Sequence, residues 1–306
     1  MIAALVGALA LDLAVGDPPN RWHPVAWIGA LIASGRRRFA RGQPAALTIT
    51  GGATTLVAAG VAAAAGWGIA RGAAALGGAG ILVEAAALKA TLSLRGLVTA
   101  AHAVQAELVA GDVEAARETV GRHLVSRVTT ELDAPAVASA AIESVAENLT
   151  DALAAPVLAY VVFGLPGAFA YRAINTADAM IGYHDDVLEH FGKLAARADD
   201  ILNLVPARLA GCAIGIAAGA GGGAPARALR TMWRQHARTE SPNAGWTMAA
   251  MAGALGVTLE KRGAYRLGEG PGPAPADIGR AVRVVAAAAA LVISAAALCL
   301  WSRGAR

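Results

Sequence analysis

Long runs of apolar residues alternate with short polar joints along this chain, and the run lengths set the expected architecture. A helix needs roughly 20 apolar residues to cross a bilayer. Leu47 to Ala70 is 24 residues without a charge and predicts the clearest span. Gly72 to Leu94 predicts a second, weaker one that carries Glu84 and Lys89. Ala152 to Tyr171 has 20 uncharged residues, but Pro156 and the run Gly164-Leu165-Pro166-Gly167 interrupt it. Ile201 to Ala226 carries only Arg208, and Val284 to Ser302 is a final span of 19 residues. With Met1 to Val15, read as a retained first helix, the pattern predicts about six membrane segments. The expected fold class is all-α: a polytopic integral membrane helical bundle, some of whose segments are re-entrant or broken. Residues 1–306 are expected to form one membrane-embedded domain, and no internal repeat is visible.

The joints add orientation. Arg36, Arg37, Arg38 and Arg41 lie between the first two segments, and the positive-inside rule places that loop in the cytoplasm. The next two segments return the chain to that side, so residues 95–150 read as a cytoplasmic helical region. Asp112 reads as the N-cap of a helix over Val113 to Val125. Gly221 to Gly223 with Pro225 reads as a flexible joint. Pro271, Pro273 and Pro275 read as a stiff loop before the last span.

Composition sharpens this picture. The chain has 306 residues, 56% of them hydrophobic and 16% charged. Soluble domains carry about 25% charged residues, so too little charge remains to cover a water-facing surface. Disordered, collagen-like and disulfide-scaffold classes are excluded. Net charge is +4, an excess that in a membrane protein reports cytoplasmic loops rather than nucleic acid. Cys212 and Cys299 lie in apolar stretches and read as small packing residues. No HExxH zinc motif or GxxxxGK[ST] phosphate loop occurs, so ATP use would need a different site.

Acidic residues carry the candidate chemistry. Nine of the 22 fall between Glu143 and Asp200, around an apolar segment. Charges at a membrane boundary are costly unless paired or metal-bound. Glu143, Glu147 and Asp151 recur at i, i+4 and i+8, on one helix face. Like charges at this spacing repel, so something positive faces them: Mg²⁺, a hard ion suited to carboxylates and phosphate oxygens, or Arg122 or Arg127. A second cluster joins Arg172, Asn175 and Asp178. A third joins Asp199, Asp200 and Asn203, followed by Arg208 within an apolar run. The loops holding Asp17 and His23, and Asn243 and Trp246, read alone as turns.

Together these pieces resemble the CobD/CbiB family, the adenosylcobinamide-phosphate synthases of cobalamin biosynthesis. The resemblance runs from Asp12 to about Gly268. It is carried by Gly16-Asp17-Pro18 with His23-Pro24, by Glu143-Ser144-Val145-Ala146-Glu147-Asn148 to Asp151 and Pro156, and by Tyr171-Arg172-Ala173-Ile174-Asn175-Thr176 with Asp178, Met180, Gly182 and Tyr183. It continues through Asp199-Asp200, Asn203 and Pro206-Ala207-Arg208, then Ser241-Pro242-Asn243-Ala244-Gly245-Trp246 and Met251 to Leu255. Two departures stand out: Arg127-Val128-Thr129 where the family usually has Arg-Asp-Thr, and His184 after Tyr183 where it usually has Lys.

The resemblance implies a multi-pass enzyme of the cell (inner) membrane with its active site facing the cytoplasm. It would join adenosylcobyric acid to an amino-alcohol phosphate such as (R)-1-amino-2-propanol O-phosphate, with ATP as co-substrate and Mg²⁺ as cofactor. Its partners would be these substrates, the lipid bilayer and other cobalamin-assembly membrane enzymes, with no nucleic acid. Under that implication Glu143, Glu147, Asp151, Asp199 and Asp200 hold the metal. Asp178 serves as base, with Glu143, Glu147 and Asp151 also in the catalytic set. Asn148, Asn175 and Asn203 orient phosphate oxygens or waters, and Arg172 and Arg208 bind phosphates. Asp17 and His23 shape a wall, while Asn243 and Trp246 meet the corrinoid. The alternatives are a non-catalytic component of a cobalamin-assembly complex, a transporter, or a lipid phosphotransferase.

The 152–174 stretch would extend about 34 Å as a straight helix and would part Glu147 from Asp178 across the membrane. The Gly-Leu-Pro-Gly break instead predicts two half-length helices forming a re-entrant hairpin. Single cysteines at positions 147 and 178 should therefore react with an impermeant thiol reagent from the same side of sealed vesicles. Labelling from opposite sides overturns the hairpin.

Overall fold

The computed structural model describes residues 1–183 and 187–304; His184, Asp185 and Asp186 lie outside them. Among the described residues the fold is helical apart from one two-stranded hairpin, and the chain divides into two compact units.

The first unit comprises 1–93, 155–203 and 296–306. It contains α1 (Ile2–Val15), α2 (Pro24–Phe39), α3 (Pro44–Ala75) and α4 (Gly80–Lys89). α8 (Ala155–Ile181), the short α9 (Leu188–Phe191) and the start of α10 (Lys193–Ile216) complete its core. Pro24 and Pro44 open α2 and α3 at positions where no backbone donor is needed. α3 lies along α8, and α1 packs on α4. Ile32, Leu47, Ala58, Ala177, Ile181, Leu188, Phe191 and Ala195 form a buried cluster. Small residues set these approaches: a methyl at Gly51 would overlap the Phe191 carbonyl, and one at Gly66 would lie 2.8 Å from the Leu165 carbonyl oxygen.

The second unit comprises 94–154 and 204–295. α5 (Leu94–Val109) and α6 (Val113–His123) pair, and both pack on α7 (Ala134–Leu149). Asp112 caps α6 as expected, accepting from the Ala115 amide at 2.9 Å. α11 (Pro225–Gln235) packs on α12 (Ala244–Leu255), every residue of which is buried. The strands β1 (Leu259–Lys261) and β2 (Tyr265–Leu267) pair antiparallel, and β1 lies against α7. α13 (Pro275–Gly304) follows the proline loop. Gly222, in the left-handed conformation at φ 74°, marks the expected joint before α11.

Among the described residues four helical stretches are long and apolar enough to cross a membrane: Pro44–Ala75, Ala134–Ile181, Lys193–Gly221 and Pro275–Gly304. The six expected segments are corrected at two places. The run from Gly72 to Leu94 forms no span: α3 ends at Ala75, Gly77 turns at φ 56°, and only the ten residues of α4 follow. At 1.5 Å per residue these reach about 15 Å, half a hydrocarbon core. α1, at 14 residues, is apolar but short. Cys212 and Cys299, expected as packing residues, are exposed, on outer faces of long apolar helices.

The third expected span is broken. α7 continues through one π-helical turn, Thr150–Ala154, into α8. Pro156 explains the wider turn, because its ring has no N–H and would press on the carbonyl one α-turn earlier. Gly164 then leaves helical geometry at φ 68° and ψ −160°. The chain folds back so sharply that a methyl at Gly167 would lie 2.8 Å from the Ala159 carbonyl oxygen. Eight residues of unbroken helix would separate those positions by about 12 Å. Two half-helices therefore replace one, and Pro166 sits in the first turn of the second half, where it costs no hydrogen bond.

Only glycine occupies the Gly164 conformation without strain. Gly164→Ala should cost about 1–3 kcal/mol and lower the thermal midpoint of the detergent-solubilised protein. An unchanged midpoint would show that the fold-back tolerates a side chain.

Candidate functional site

Within the first unit, side chains from α8 and α10 form a continuous polar chain. Tyr171 donates its hydroxyl to Asn203 Oδ1 at 3.0 Å. The Asn203 amide donates to Asp199 Oδ2 at 2.9 Å, and the Asn175 amide donates to Asp199 Oδ1 at 3.2 Å. Arg172 donates to Asn175 Oδ1 at 3.3 Å. Helical spacing produces this: Asp199 and Asn203 are one turn apart on α10, and Arg172 and Asn175 one turn apart on α8. Asn203 is buried; Asp199, Arg172, Asn175, Asp178 and Asp200 are half-buried. Asp178 abuts Gly182, where a methyl would overlap its carboxylate. Arg172 and Asn175 of the expected second cluster and Asp199 and Asn203 of the third thus form one network.

Asp17 and His23 sit in a separate knot of the same unit. His23 Nδ1 accepts from the Val25 amide at 3.1 Å and caps α2. Its other ring nitrogen lies 3.3 Å from Asp17 Oδ1. Lys89 bonds to Asp17 and lies 3.8 Å from Asp12, and Ser93 reaches the second Asp17 oxygen at 3.4 Å. Hydrogen bonds from His23 and then Lys89 hold the Asp17 carboxyl well below the usual carboxylate range, against the opposing effect of partial burial. Both ring nitrogens of His23 are occupied, so its role here is to fix the loop. Sequence reasoning missed Lys89 and Asp12; the signal was a lysine and an aspartate inside apolar runs, each needing a partner.

The acidic face of α7 lies in the second unit. Glu143 is buried. It accepts from Ser139 at 2.6 Å, from the Tyr265 hydroxyl at 2.8 Å and from Arg127 at 3.3 Å. Of the two positive groups weighed from sequence, Arg127 faces the acids, while Arg122 pairs with Glu118. The β-hairpin supplies Tyr265 from 122 positions away, which no local pattern announced. Burial and then the Glu143 charge push the Tyr265 hydroxyl up, keeping it a donor. Ser139 also lines a small polar cavity of about 170 Å³ with Asp133, Glu260, Arg262 and Arg266. Glu147, one turn after Glu143, is exposed. Asn148 is half-buried and donates to Ser144. Asp151 falls in the π turn.

Arg208, Asn243 and Trp246 also belong to the second unit. The Arg208 guanidinium lies 4.7 Å from the Trp246 ring centroid and donates to the Leu204 carbonyl at 2.6 Å. His236 stacks on Trp246 at 3.9 Å, and Trp233 meets it edge-on. Trp246 Nε1 is buried without a hydrogen-bond partner among the described residues. Asn243 is buried at the start of α12, in a turn closed by Ser241.

The five expected metal ligands therefore fall into two sets, Glu143, Glu147 and Asp151 in one unit and Asp199 and Asp200 in the other. Among the described residues no group of three or more His, Cys, Asp or Glu side chains is placed to hold a metal ion. Glu143 and Asp199 already accept from neighbouring side chains on both oxygens. What remains fits a Mg²⁺ that arrives with phosphate oxygens and takes one or two carboxylates, with Glu147 the most open.

Comparison with known proteins gives a consistent answer. The family described as CobD/Cbib protein matches residues 5–293. The chain is 39% identical to "Cobalamin biosynthesis protein CobD" of Dehalococcoides mccartyi, over 86% of this chain and 85% of that protein. It is 40% identical to the Rhodobacter capsulatus protein of that name, over 98% of each chain. A third, from Chromobacterium violaceum, is 41% identical over 91% of this chain and 90% of its own. No solved structure matches.

The Glu143 cluster is testable without activity. Arg127→Met should destabilise the protein by about 3 kcal/mol by stranding a buried carboxylate, read as a lower thermal midpoint. Adding Glu143→Gln should recover much of the loss, because no stranded charge remains. Equal midpoints for the single and double variants would mean that the pair is not coupled.

Proposed function

This chain belongs to the CobD/CbiB family, and from that premise we propose that it is an ATP-dependent amide ligase of cobalamin biosynthesis. It joins adenosylcobyric acid to an amino-alcohol phosphate such as (R)-1-amino-2-propanol O-phosphate, giving adenosylcobinamide phosphate. It works in the cell membrane with its site towards the cytoplasm. The observation that most supports a reactive site is the Tyr171–Asn203–Asp199–Asn175–Arg172 chain between two largely apolar helices. Ionisable groups in such surroundings are functional hypotheses by default.

A free carboxylate does not react with an amine, so the acyl group must be activated. The terminal phosphoryl group of ATP passes to the substrate carboxylate, giving an acyl phosphate and ADP. The amine then attacks the acyl carbon, an amide C–N bond forms, and phosphate leaves. Such transfers rely on positioning and charge neutralisation. Arg172, positioned by Asn175, and Arg208, held against Trp246, supply guanidinium groups for phosphate. Asn175 and Asn203 fix Asp199 on both oxygens, so the cluster presents a defined set of polar edges. Asp178 accepts the proton that the ammonium must lose before attack. Mg²⁺ would be held by Glu147 with Asp151 and would neutralise phosphate charge; Asp199 and Asp200 belong to the network of the other unit. Glu143, saturated by its three donors, acts as a positioning residue for that helix face. Asp17 and His23 hold the loop that forms one wall, and Asn243 and Trp246 offer a corrinoid contact.

The purified protein in detergent, given adenosylcobyric acid, aminopropanol phosphate and Mg-ATP, should release ADP and adenosylcobinamide phosphate in equal amounts. Glu147→Ala and Asp178→Ala should each reduce turnover by at least about 100-fold while keeping the thermal midpoint. Full turnover in either variant removes that residue from the site. No product from folded wild-type protein would favour a non-catalytic component of a cobalamin-assembly complex.

A further inference from the structure

Away from these clusters, α2 and α3 enclose a groove of about 390 Å³ lined by Leu31, Ser34, Arg38, Phe39, Thr54 and Val57 among others. Its size lies within the range of small-molecule sites, about 300–1,000 Å³. The floor is closed because α2 touches α3 at Gly35, where a methyl would overlap the Thr54 side chain. The slot follows α3 from Thr50 to Val57, about 10 Å of helix. Leu31 and Val57, apolar residues of its lining, are exposed, as are Leu56 and Val61 nearby on α3.

One end of the groove is strongly positive. Arg36, Arg37, Arg38 and Arg41 gather at the end of α2 and are exposed, and Arg38 is itself part of the lining. None of them forms an ion pair among the described residues. The sequence offers no local remedy, because no acidic residue occurs between Asp17 and Glu84. Arg38 lines an apolar slot on one of the helices long enough to cross a membrane, and three more arginines with no ion pair among the described residues lie within three residues of it in the chain. An anion joined to a hydrocarbon chain satisfies both ends at once.

We infer that this groove binds an anionic phospholipid, with the headgroup phosphate on Arg38 and its neighbours and an acyl chain in the slot. The inference rests on the chain lying in a bilayer and is independent of the ligase reading. Guanidinium forks match phosphate oxygens in pairs. Each basic residue near an anionic lipid surface contributes about 1 kcal/mol, or about fivefold in retention. An apolar wall gives free phosphate nothing further to hold, whereas it removes an acyl chain from competition with bulk lipid.

Native mass spectrometry of the purified full chain tests this, with phosphatidylglycerol and phosphatidylcholine of the same acyl composition as probes. The expected result is selective retention of phosphatidylglycerol by the wild type. Arg38→Ala should weaken that retention about fivefold. Val57→Trp, which fills the slot and leaves every arginine in place, should weaken retention of both lipids. Equal retention of the two lipids by the wild type overturns the inference. So does full displacement of phosphatidylglycerol by inorganic phosphate, which would mean a simple anion site. Unchanged retention in both variants, with helical content preserved, overturns it as well.

Discussion

The cost of removing charge from water organises this molecule. Burying one unpaired ion costs several kcal/mol even after relaxation, and a whole domain is stable by only about 5–15 kcal/mol. A chain with 16% charged residues can bury a charge only where partners are ready. Each polar knot accordingly ties together segments that apolar contact alone would leave free to slide. Lys89 joins α4 to Asp12 of α1 and to the Asp17 loop. Asp199 joins α10 to Asn175 of α8. Glu143 joins α7 to the β-hairpin through Tyr265. Apolar packing supplies the bulk of stability and is non-directional, whereas these hydrogen bonds fix the registers in which the helices meet.

What could be read in advance followed from locality. α3 and α13 were visible as long uncharged runs, the α6 cap as an aspartate at the right offset, and the α8 break as glycine and proline in the middle of an apolar stretch. The i,i+4 pair Asp199 and Asn203 needed only helical spacing. The failures have equally physical causes. The run from Gly72 to Leu94 is apolar enough for a span, yet Gly77 and Gly78 divide it, and hydropathy averaged over a window does not register a turn. The three-residue strands are too short to show a period of two. Tyr265 meets Glu143 only through tertiary folding, so nothing near either residue predicted the pairing. Lys89 weakens the expected span in hydropathy terms, yet it is buried and ties Asp12 and Asp17 together.

The acidic face of α7 illustrates how spacing and chemistry diverge. Glu143, Glu147 and Asp151 look equivalent when drawn on an ideal helix, and three converging carboxylates suggest a ready-made metal cage. Glu143 is consumed by Ser139, Tyr265 and Arg127, so its lone pairs serve the fold. Asp151 lies in the π turn, where each residue advances by a smaller rotation than in an α-helix. Of the three, Glu147 alone is both α-helical and exposed on the surface of the protein. A rigid three-acid cage would suit a resident ion. Mg²⁺ dehydrates reluctantly and commonly reaches a phosphoryl-transfer site with its nucleotide, keeping waters and taking one or two carboxylates. Under the proposed reading, a helix face with one open glutamate beside a glutamate held by three donors would suit that second regime. The bonds that occupy both oxygens of Glu143 also anchor the helical turn that carries Glu147.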